Sequence, residues 1–291
     1  MFRNLSRFAL LALVFSVLSV SVHAEEIIRL GVGLFQPDKD KNDATYRPLA
    51  DYLSQKLGKK VQLRTVDSWE GLAKSLANGE TDIALMGPWG YVLANNQSGA
   101  QAVATILYDG KPEYHALIIT HPNSGIAKLD DLKGKTFAFG DKGSTSGYLI
   151  PTHHFMKLGI NDAEKYFSKV LYTKHQAIET QVTRGEIDAG ADYDRNRNAM
   201  IEQGLIKGAD SKIIWTSAPL PNDAMAVSAD MLKDKAFVAK LQAALEGVGA
   251  ELKKTPNLLP AHYTGFVKSD DQRYISIRDA GLATGKLQPR K

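Results

Sequence analysis

Lys135-Thr136-Phe137-Ala138-Phe139-Gly140-Asp141-Lys142-Gly143-Ser144-Thr145-Ser146-Gly147-Tyr148 is the stretch on which the fold turns. Lys135 to Phe139 reads as a strand, and a helix follows Gly147. Between them lies a turn with glycines on both sides of three consecutive hydroxyls. At a helix start the free backbone N–H groups point outward and the macrodipole favours negative charge. Hydroxyls add donors, and glycines let the backbone come close, so the whole reads as an anion cradle. A plain Ser N-cap in a polar turn is the simpler alternative. The strand–turn–helix setting favours the cradle, because the mechanism demands that setting.

Elements on either side repeat this alternation. Upstream, Ile27–Gly33 reads as a buried strand, and Tyr46 to Leu57 as a helix stopped by Gly58. Val61–Val66 is a strand, Trp69 to Ala77 a helix, and Asp82–Met86 a short strand. Downstream come a strand at Lys169–Tyr172, a helix from His175 to Arg184 and a strand at Ile187–Ala191. This β-α-β-α-β order, made twice, predicts an α/β fold of two lobes, each a mostly parallel sheet flanked by helices and joined by a hinge. Asn78-Gly79-Glu80-Thr81-Asp82 and Arg184-Gly185-Glu186-Ile187-Asp188 occupy matching places in the two units. Residues 25–117 with 225–291 make lobe one, and 118–224 make lobe two. Tyr114–Thr120 and Met225–Ser228 are the expected crossings, Lys235 to Lys253 a helix of lobe one, and Asp270 to Lys291 a terminal helix with a frayed tail. Ligands of such folds settle between lobes and at strand C-terminal ends.

Residues 1–24 read as a signal peptide. Arg3 and Arg7 form the n-region, Phe8 to Val22 is apolar apart from serines, and Val22-His23-Ala24 is a small-x-small cleavage pattern. The apolar run is shorter than the ~20 residues that span a bilayer. The mature chain is expected to be monomeric and free in a bacterial periplasm, with no Cys to carry a lipid. The formal net charge of +4 halves when the leader's two arginines leave. That weak balance argues against nucleic-acid binding. With no cysteine in the chain, disulfides, Cys-ligated zinc and thiol catalysis are excluded. A 44% hydrophobic composition supplies a core instead. No cofactor is expected.

Other side chains gather around the cradle in this reading. Gly87-Pro88-Trp89-Gly90-Tyr91 is a second strand–turn–helix junction, where Trp89 and Tyr91 can overhang a cleft or lie in the core. Tyr46 opens a helix from which its hydroxyl can reach the same space. His175 begins a helix after a strand and can donate to an oxyanion. Asp223 follows Pro221-Asn222, where the chain returns between lobes. A carboxylate only accepts hydrogen bonds, so beside an oxyanion it selects a protonated one and repels sulfate. Asp192 and Asp194 are a second acidic possibility.

A serine hydrolase built on Ser146, His175 and Asp223 is disfavoured. The centre of Gly143–Gly147 is Thr145 and not Ser, and the order is not Ser, acid, His. No Walker A loop is present. Adjacent His153 and His154 cannot share a helix face as metal ligands do. Receptors of similar fold for sulfonates, amino acids or thiamine-related solutes remain alternatives, although an amino-acid receptor wants an arginine for the carboxylate. None lies in the cradle, the Gly87–Tyr91 turn or Pro219–Asp223.

Leu132-Lys133-Gly134-Lys135-Thr136-Phe137-Ala138-Phe139-Gly140, running into Gly143-Ser144-Thr145-Ser146-Gly147-Tyr148-Leu149-Ile150-Pro151, resembles the phosphate/phosphite/phosphonate-binding proteins of ABC importers. Tyr46, Gly87-Pro88 with Tyr91, His175 and Pro221-Asn222-Asp223 fall in the order that family shows. The resemblance implies a type II periplasmic binding fold that closes on a small phosphorus oxyanion and delivers it to an inner-membrane permease, without catalysis. It implies Ser144, Thr145 and Ser146 as donors to the phosphorus oxygens, Tyr46, Tyr91 and His175 as donors or wall, and Asp223 as acceptor from a P–OH. Trp89, bulky for that turn, suits phosphite or methylphosphonate better than a long aminoalkylphosphonate.

Overall fold

The computed structural model describes residues 26–289, apart from Leu34 and Pro37. The signal peptide read at residues 1–24 lies outside the described residues. The first pass of the chain lays down β1 (Ile27–Gly33), α1 (Lys39–Leu57), β2 (Lys60–Val66), α2 (Trp69–Ala77), β3 (Ile83–Met86), α3 (Pro88–Ser98) and β4 (Gln101–Tyr108). After β5 (Glu113–Tyr114) the second lobe holds β6 (Ala116–Thr120), β7 (Thr136–Phe139), α4 (Ile150–Lys157), α5 (Ala163–Tyr166) and β8 (Lys169–Tyr172). It continues with α6 (His175–Thr183), β9 (Ala189–Tyr193), α7 (Asp194–Glu202) and β10 (Lys212–Thr216). The chain returns through β11 (Leu220–Pro221) to β12 (Ala224–Val227), α8 (Lys235–Glu246), α9 (Val248–Glu251), β13 (Tyr263–Lys268) and α10 (Ile275–Ala283).

Two sheets result. One has the order β13-β4-β12-β3-β1-β2 and the other β10-β6-β9-β7-β8. Within each, the β-α-β-α-β unit gives three parallel strands: β1 pairs in parallel with β2 and β3, and β7 with β8 and β9. Antiparallel strands extend both sheets, because β12, β4 and β13, like β6 and β10, enter from the crossings or from loops. The sheets are therefore more mixed than the alternation alone predicts. The two lobes joined by a hinge make a type II periplasmic binding fold.

Side-chain alternation explains how the first sheet is buried on both faces. Ile83 and Leu85 point with Leu30 and Val32 toward Leu49 and Leu53 of α1 and Leu241 and Leu245 of α8. Ala84 and Met86 point the other way, onto α2, α3 and α10. The second lobe packs Phe137, Phe139, Phe155 and Phe167 into one aromatic core. Among the described residues no helix is long and apolar enough to cross a membrane.

Three boundaries differ from the sequence reading. Helix α1 begins at Lys39, where Asp38 accepts a bond from the Lys41 N–H. Its first two turns are polar, so the apolar periodicity did not mark them, and Tyr46 is mid-helix. The helix expected from Lys235 to Lys253 breaks at Gly247, since the Tyr52 hydroxyl donates to the Ala244 carbonyl at 2.7 Å and takes an acceptor that a continuing helix would use. The crossings lie at residues 109–115 and 217–223, because Ala116–Thr120 already pairs within the second sheet and Ala224–Val227 within the first. There β5 and β11 pair antiparallel, Leu220 with Tyr114 and Pro221 with Glu113.

Candidate functional site

Gly140 and Gly147 place the cradle against the end of β7. The Gly140 N–H donates to the Gly147 carbonyl at 2.8 Å. A Cβ on Gly147 would lie 2.9 Å from the Gly140 Cα and 2.7 Å from His175 Cε1, so the approach requires glycine. Asp141 braces the turn by accepting from the Gly143 N–H through Oδ1 at 2.8 Å, while its carbonyl takes the Ser144 N–H. Ser144 Oγ accepts from the Gly147 N–H at 3.0 Å, which makes Ser144 the N-cap of the turn, as the simpler reading had it. The first turn, Thr145–Leu149, is wound as a π-helix before α4 begins. Such turns concentrate at functional sites.

The three cradle hydroxyls are buried against the first lobe. The Trp89 N–H, at the start of α3, donates to Thr145 Oγ1 at 2.8 Å, directly across the cleft. Tyr114 lies beside the hydroxyls of Thr145 and Ser146. Together with Gly87, His175, Tyr193, Arg195, Asp223, Phe35 and Trp69, the cradle encloses a cavity of about 40 Å³. One water needs roughly 10–15 Å³ on this measure, so the space is that of a few waters or one compact oxyanion. An outer chamber of about 440 Å³ shares Phe35, Trp69, His175 and Tyr193 with it and adds Tyr172 and Lys142. The hydroxyls converge on the small cavity and not on the large one.

His175 is held from both sides. Nε2 lies 3.1 Å from Ser144 Oγ and Nδ1 lies 3.0 Å from Asp192 Oδ1. Asn196 Nδ2 donates to both Asp192 oxygens at 3.0 Å. Burial, reinforced by the nearby Arg195 charge, pushes His175 down to about 4. Burial pushes Asp192 up to about 7. With His175 neutral at neutral pH, the His175–Asp192 contact is a hydrogen bond and not an ion pair. Ser144, His175 and Asp192 make the contacts of a hydrolytic triad, a different set from Ser146, His175 and Asp223.

Behind this relay, Ser211 Oγ donates to Glu179 Oε1 at 2.5 Å, and Arg197 Nε lies 3.8 Å from the same oxygen. Burial, and then the Asp192 charge, raise Glu179 to about 8. A carboxyl whose folded value is raised holds its proton more tightly folded than unfolded. Its stabilisation is complete below the ordinary carboxylate range and is lost as pH climbs through about 8. Asp192 acts in the same sense up to about 7; His175 acts oppositely between about 4 and its ordinary value. Thermal melts are therefore expected to show a lower midpoint at pH 9 than at pH 6. Glu179→Gln should flatten that difference; an equal slope in the variant would count against a buried protonated Glu179.

Other expected site residues sit differently. Tyr46 is buried behind Phe35, with ring centroids 5.5 Å apart, and faces Tyr263, Asp223, Tyr193 and Arg195. Trp89 and Tyr91 do not overhang the cleft. A Cβ on Gly281 would lie 2.5 Å from the Trp89 ring, so the indole is packed under α10, and only its backbone N–H faces the cradle. The Tyr91 hydroxyl donates to Asp271 at 2.8 Å and its ring packs on Tyr274. Helix α3 is sandwiched between the sheet and α10, so its aromatic side chains fill the core. Asp194 accepts from the His115 N–H at 3.0 Å, away from the cavity.

Arg195 is the residue that the sequence reading missed. Its NH1 and NH2 reach Asp223 Oδ2 at 3.4 and 3.3 Å, and both residues are buried. The carboxylate expected to stand alone and repel ionised anions is thereby charge-compensated. The only local signal is its place at the start of a helix directly after a strand, next to acids already noted. Among the described residues no cluster of His, Cys, Asp or Glu is arranged to hold a metal.

A family model described as ABC transporter, phosphonate, periplasmic substrate-binding protein matches residues 34–274. The Phosphonates-binding periplasmic protein of Escherichia coli is 28% identical over 72% of this chain and 63% of its own length. The Phosphate-import protein PhnD of Mycolicibacterium smegmatis is 28% identical over 62% of this chain and 60% of its own length. The chain thus spans somewhat under two thirds of these two relatives. The structure of PhnD1 from Prochlorococcus marinus in complex with methylphosphonate superposes with a TM-score of 0.79 at 19% identity, covering 91% of this chain and 100% of that one.

Proposed function

Because the chain belongs to the family of periplasmic substrate-binding proteins of phosphonate ABC transporters, we propose that it captures a compact phosphorus oxyanion, phosphite or methylphosphonate, for delivery to an inner-membrane permease. The observation that carries the reading is the Ser144-Thr145-Ser146 cradle, sealed by the Trp89 N–H over a cavity of about 40 Å³ that also holds His175 and Asp223. Hydroxyl and N–H donors at a turn opening into a helix suit tetrahedral oxygens. Both guanidinium bonds land on Asp223 Oδ2, so Oδ1, which faces the Gly87–Thr145 side, can accept a P–OH hydrogen.

Calorimetric titration with phosphite, methylphosphonate, phosphate, sulfate and methanesulfonate tests this. Tight binding of a phosphorus anion with weak or silent sulfur anions is expected. Tight sulfonate binding with silent phosphorus would favour the sulfonate receptor instead. The Ser144–His175–Asp192 contacts are the one observation favouring hydrolysis. Incubation with the monomethyl ester of methylphosphonate, followed by ³¹P NMR, separates the two: an unchanged spectrum supports capture, and release of methylphosphonate supports an enzyme.

Affinity should also depend on the relay's proton. With Asp192 protonated, its O–H donates to His175 Nδ1, and Nε2–H faces Ser144, whose hydroxyl hydrogen is then free for the ligand. Ionised Asp192 draws Nδ1–H to itself, and Nε2 then consumes the Ser144 hydrogen. Binding of hypophosphite, a monoanion throughout this range, is therefore expected to weaken as pH rises through about 7, with a limiting slope of about tenfold per pH unit. Asp192→Asn should remove the dependence; an unchanged slope would exclude the relay as its source.

A further inference from the structure

Among the described residues lining the small cavity, Arg195 is the only lysine or arginine. It is the second residue of α7, immediately beyond β9, and is 7% exposed. Its guanidinium carbon sits 4.5 Å from the Tyr114 ring centroid, 5.5 Å from Tyr193, 5.7 Å from Tyr108 and 5.8 Å from Tyr263. The rings hold the charge in place by cation–π attraction, and they take hydrogen bonds poorly.

This buried cation is under-satisfied. A guanidinium has five N–H donors, and charge-assisted bonds to carboxylates run at about 2.7–2.9 Å. The bonds to Asp223 are 3.3 and 3.4 Å, and NH1 reaches the Tyr263 hydroxyl at 3.4 Å. Nε is buried without a hydrogen-bond partner. Buried donors left unmade are costly, so an acceptor in the cavity gains by completing them.

We propose that Arg195 sets the ligand class: it is a second oxyanion-binding group opposite the Ser144–Ser146 cradle, and it rejects phosphonates whose substituent carries an ammonium group. The proposal rests on the phosphorus-anion reading above and narrows it. Two consequences of the geometry support it. Arg195 already occupies the charge of Asp223, so a ligand ammonium would meet a like charge in a buried site instead of a free carboxylate, and like charges at contact distance there repel strongly. The cavity of about 40 Å³ also fits a compact oxyanion, so a two-carbon ammonium arm would have to leave it past Phe35, Trp69, His175 and Tyr193 into the outer chamber, away from the Asp223 carboxylate.

Wild type, Arg195→Gln and Arg195→Lys are to be titrated with phosphite, methylphosphonate and 2-aminoethylphosphonate, with thermal melts as a folding control. Wild type should prefer the two compact anions by at least about hundredfold. Arg195→Gln should weaken them by about tenfold to hundredfold while strengthening 2-aminoethylphosphonate, so the ratio narrows. Arg195→Lys should weaken the compact anions through loss of the planar fork, yet still reject the ammonium compound; if Arg195→Gln fails to fold, this variant carries the test. A wild type that binds 2-aminoethylphosphonate as well as methylphosphonate overturns the inference, as does a ratio that neither variant moves. Silence of the wild type towards all three anions overturns the phosphorus reading, and the inference falls with it.

Discussion

Gly143→Ala is expected to abolish tight capture while leaving both lobes folded. A Cβ at this position would lie 2.6 Å from the Glu70 nitrogen and 2.7 Å from Trp69 Cβ. Both atoms belong to the first turn of α2, on the far side of the cleft, so the added methyl is a wedge between lobes and not a defect within one. One struck atom is backbone and the other a Cβ fixed directly to it, and neither gives much. Overlaps of this size cost about 1–3 kcal/mol in packed interiors. Opening the cleft relieves both contacts with α2 and leaves only a tight approach to the Asp141 Oδ1 at 3.0 Å within the turn, so most of the cost falls on closure rather than on folding. Affinity should drop by about tenfold to hundredfold, while the melting midpoint of the ligand-free protein stays near wild type. Small-angle scattering supplies the independent readout: ligand should contract wild type and leave the variant expanded. Unchanged affinity with normal contraction would mean that the closed form does not need this approach.

Asp223→Asn should act from the opposite wall. Removing the carboxylate charge leaves Arg195 buried among four tyrosine rings with no counter-ion. Stranding one member of a buried ion pair costs about 3–5 kcal/mol. Arg195 comes from the second lobe, Tyr108 and Tyr263 from the first, and Asp223 from the returning segment. Separation of the lobes readmits water to the guanidinium, so the ligand-free variant should rest more open than wild type. Binding of phosphite should weaken strongly, through the lost acceptor and the displaced equilibrium together. A double variant, Asp223→Leu with Arg195→Met, should regain compactness without regaining affinity, because apolar pairs of similar volume replace buried ion pairs at little cost. Scattering and calorimetry check both statements. An Asp223→Asn protein as compact as wild type and equally tight would refute them.

Legibility from sequence followed the range of the interactions. Helix α2 was read to the residue because its signals are local: Ser68 accepts from the Gly71 N–H, and Asn78-Gly79 ends it. The cradle was legible for the same reason, since Asp141, Ser144 and Gly147 bond to one another within a few residues. The start of α1 was not, because its cap precedes a polar stretch that carries no apolar period. Trp89 and Tyr91 were undecidable locally: the same residues would overhang a cleft if α10 did not cover them. Arg195 was hidden by sequence distance. Asp223, its partner, is 28 positions away, and Tyr263 is 68. An arginine after a strand gives no hint of what a returning segment will bring to meet it.

The short ladder of β5 and β11 carries a mechanical consequence. The outgoing and returning segments are bonded to each other, so they bend as one plate rather than as two loose cords. Tyr114 belongs to that ladder and Asp223 lies two residues beyond it. The ligand cavity therefore sits almost on the fulcrum, and the rim at Tyr172 and Lys142 is the far end of the lever. A small rotation at the ladder is multiplied along that arm. On the proposed reading, an ion of a handful of atoms, touching the pivot, would in this way swing an entire lobe and present the outer faces of both in one fixed relation.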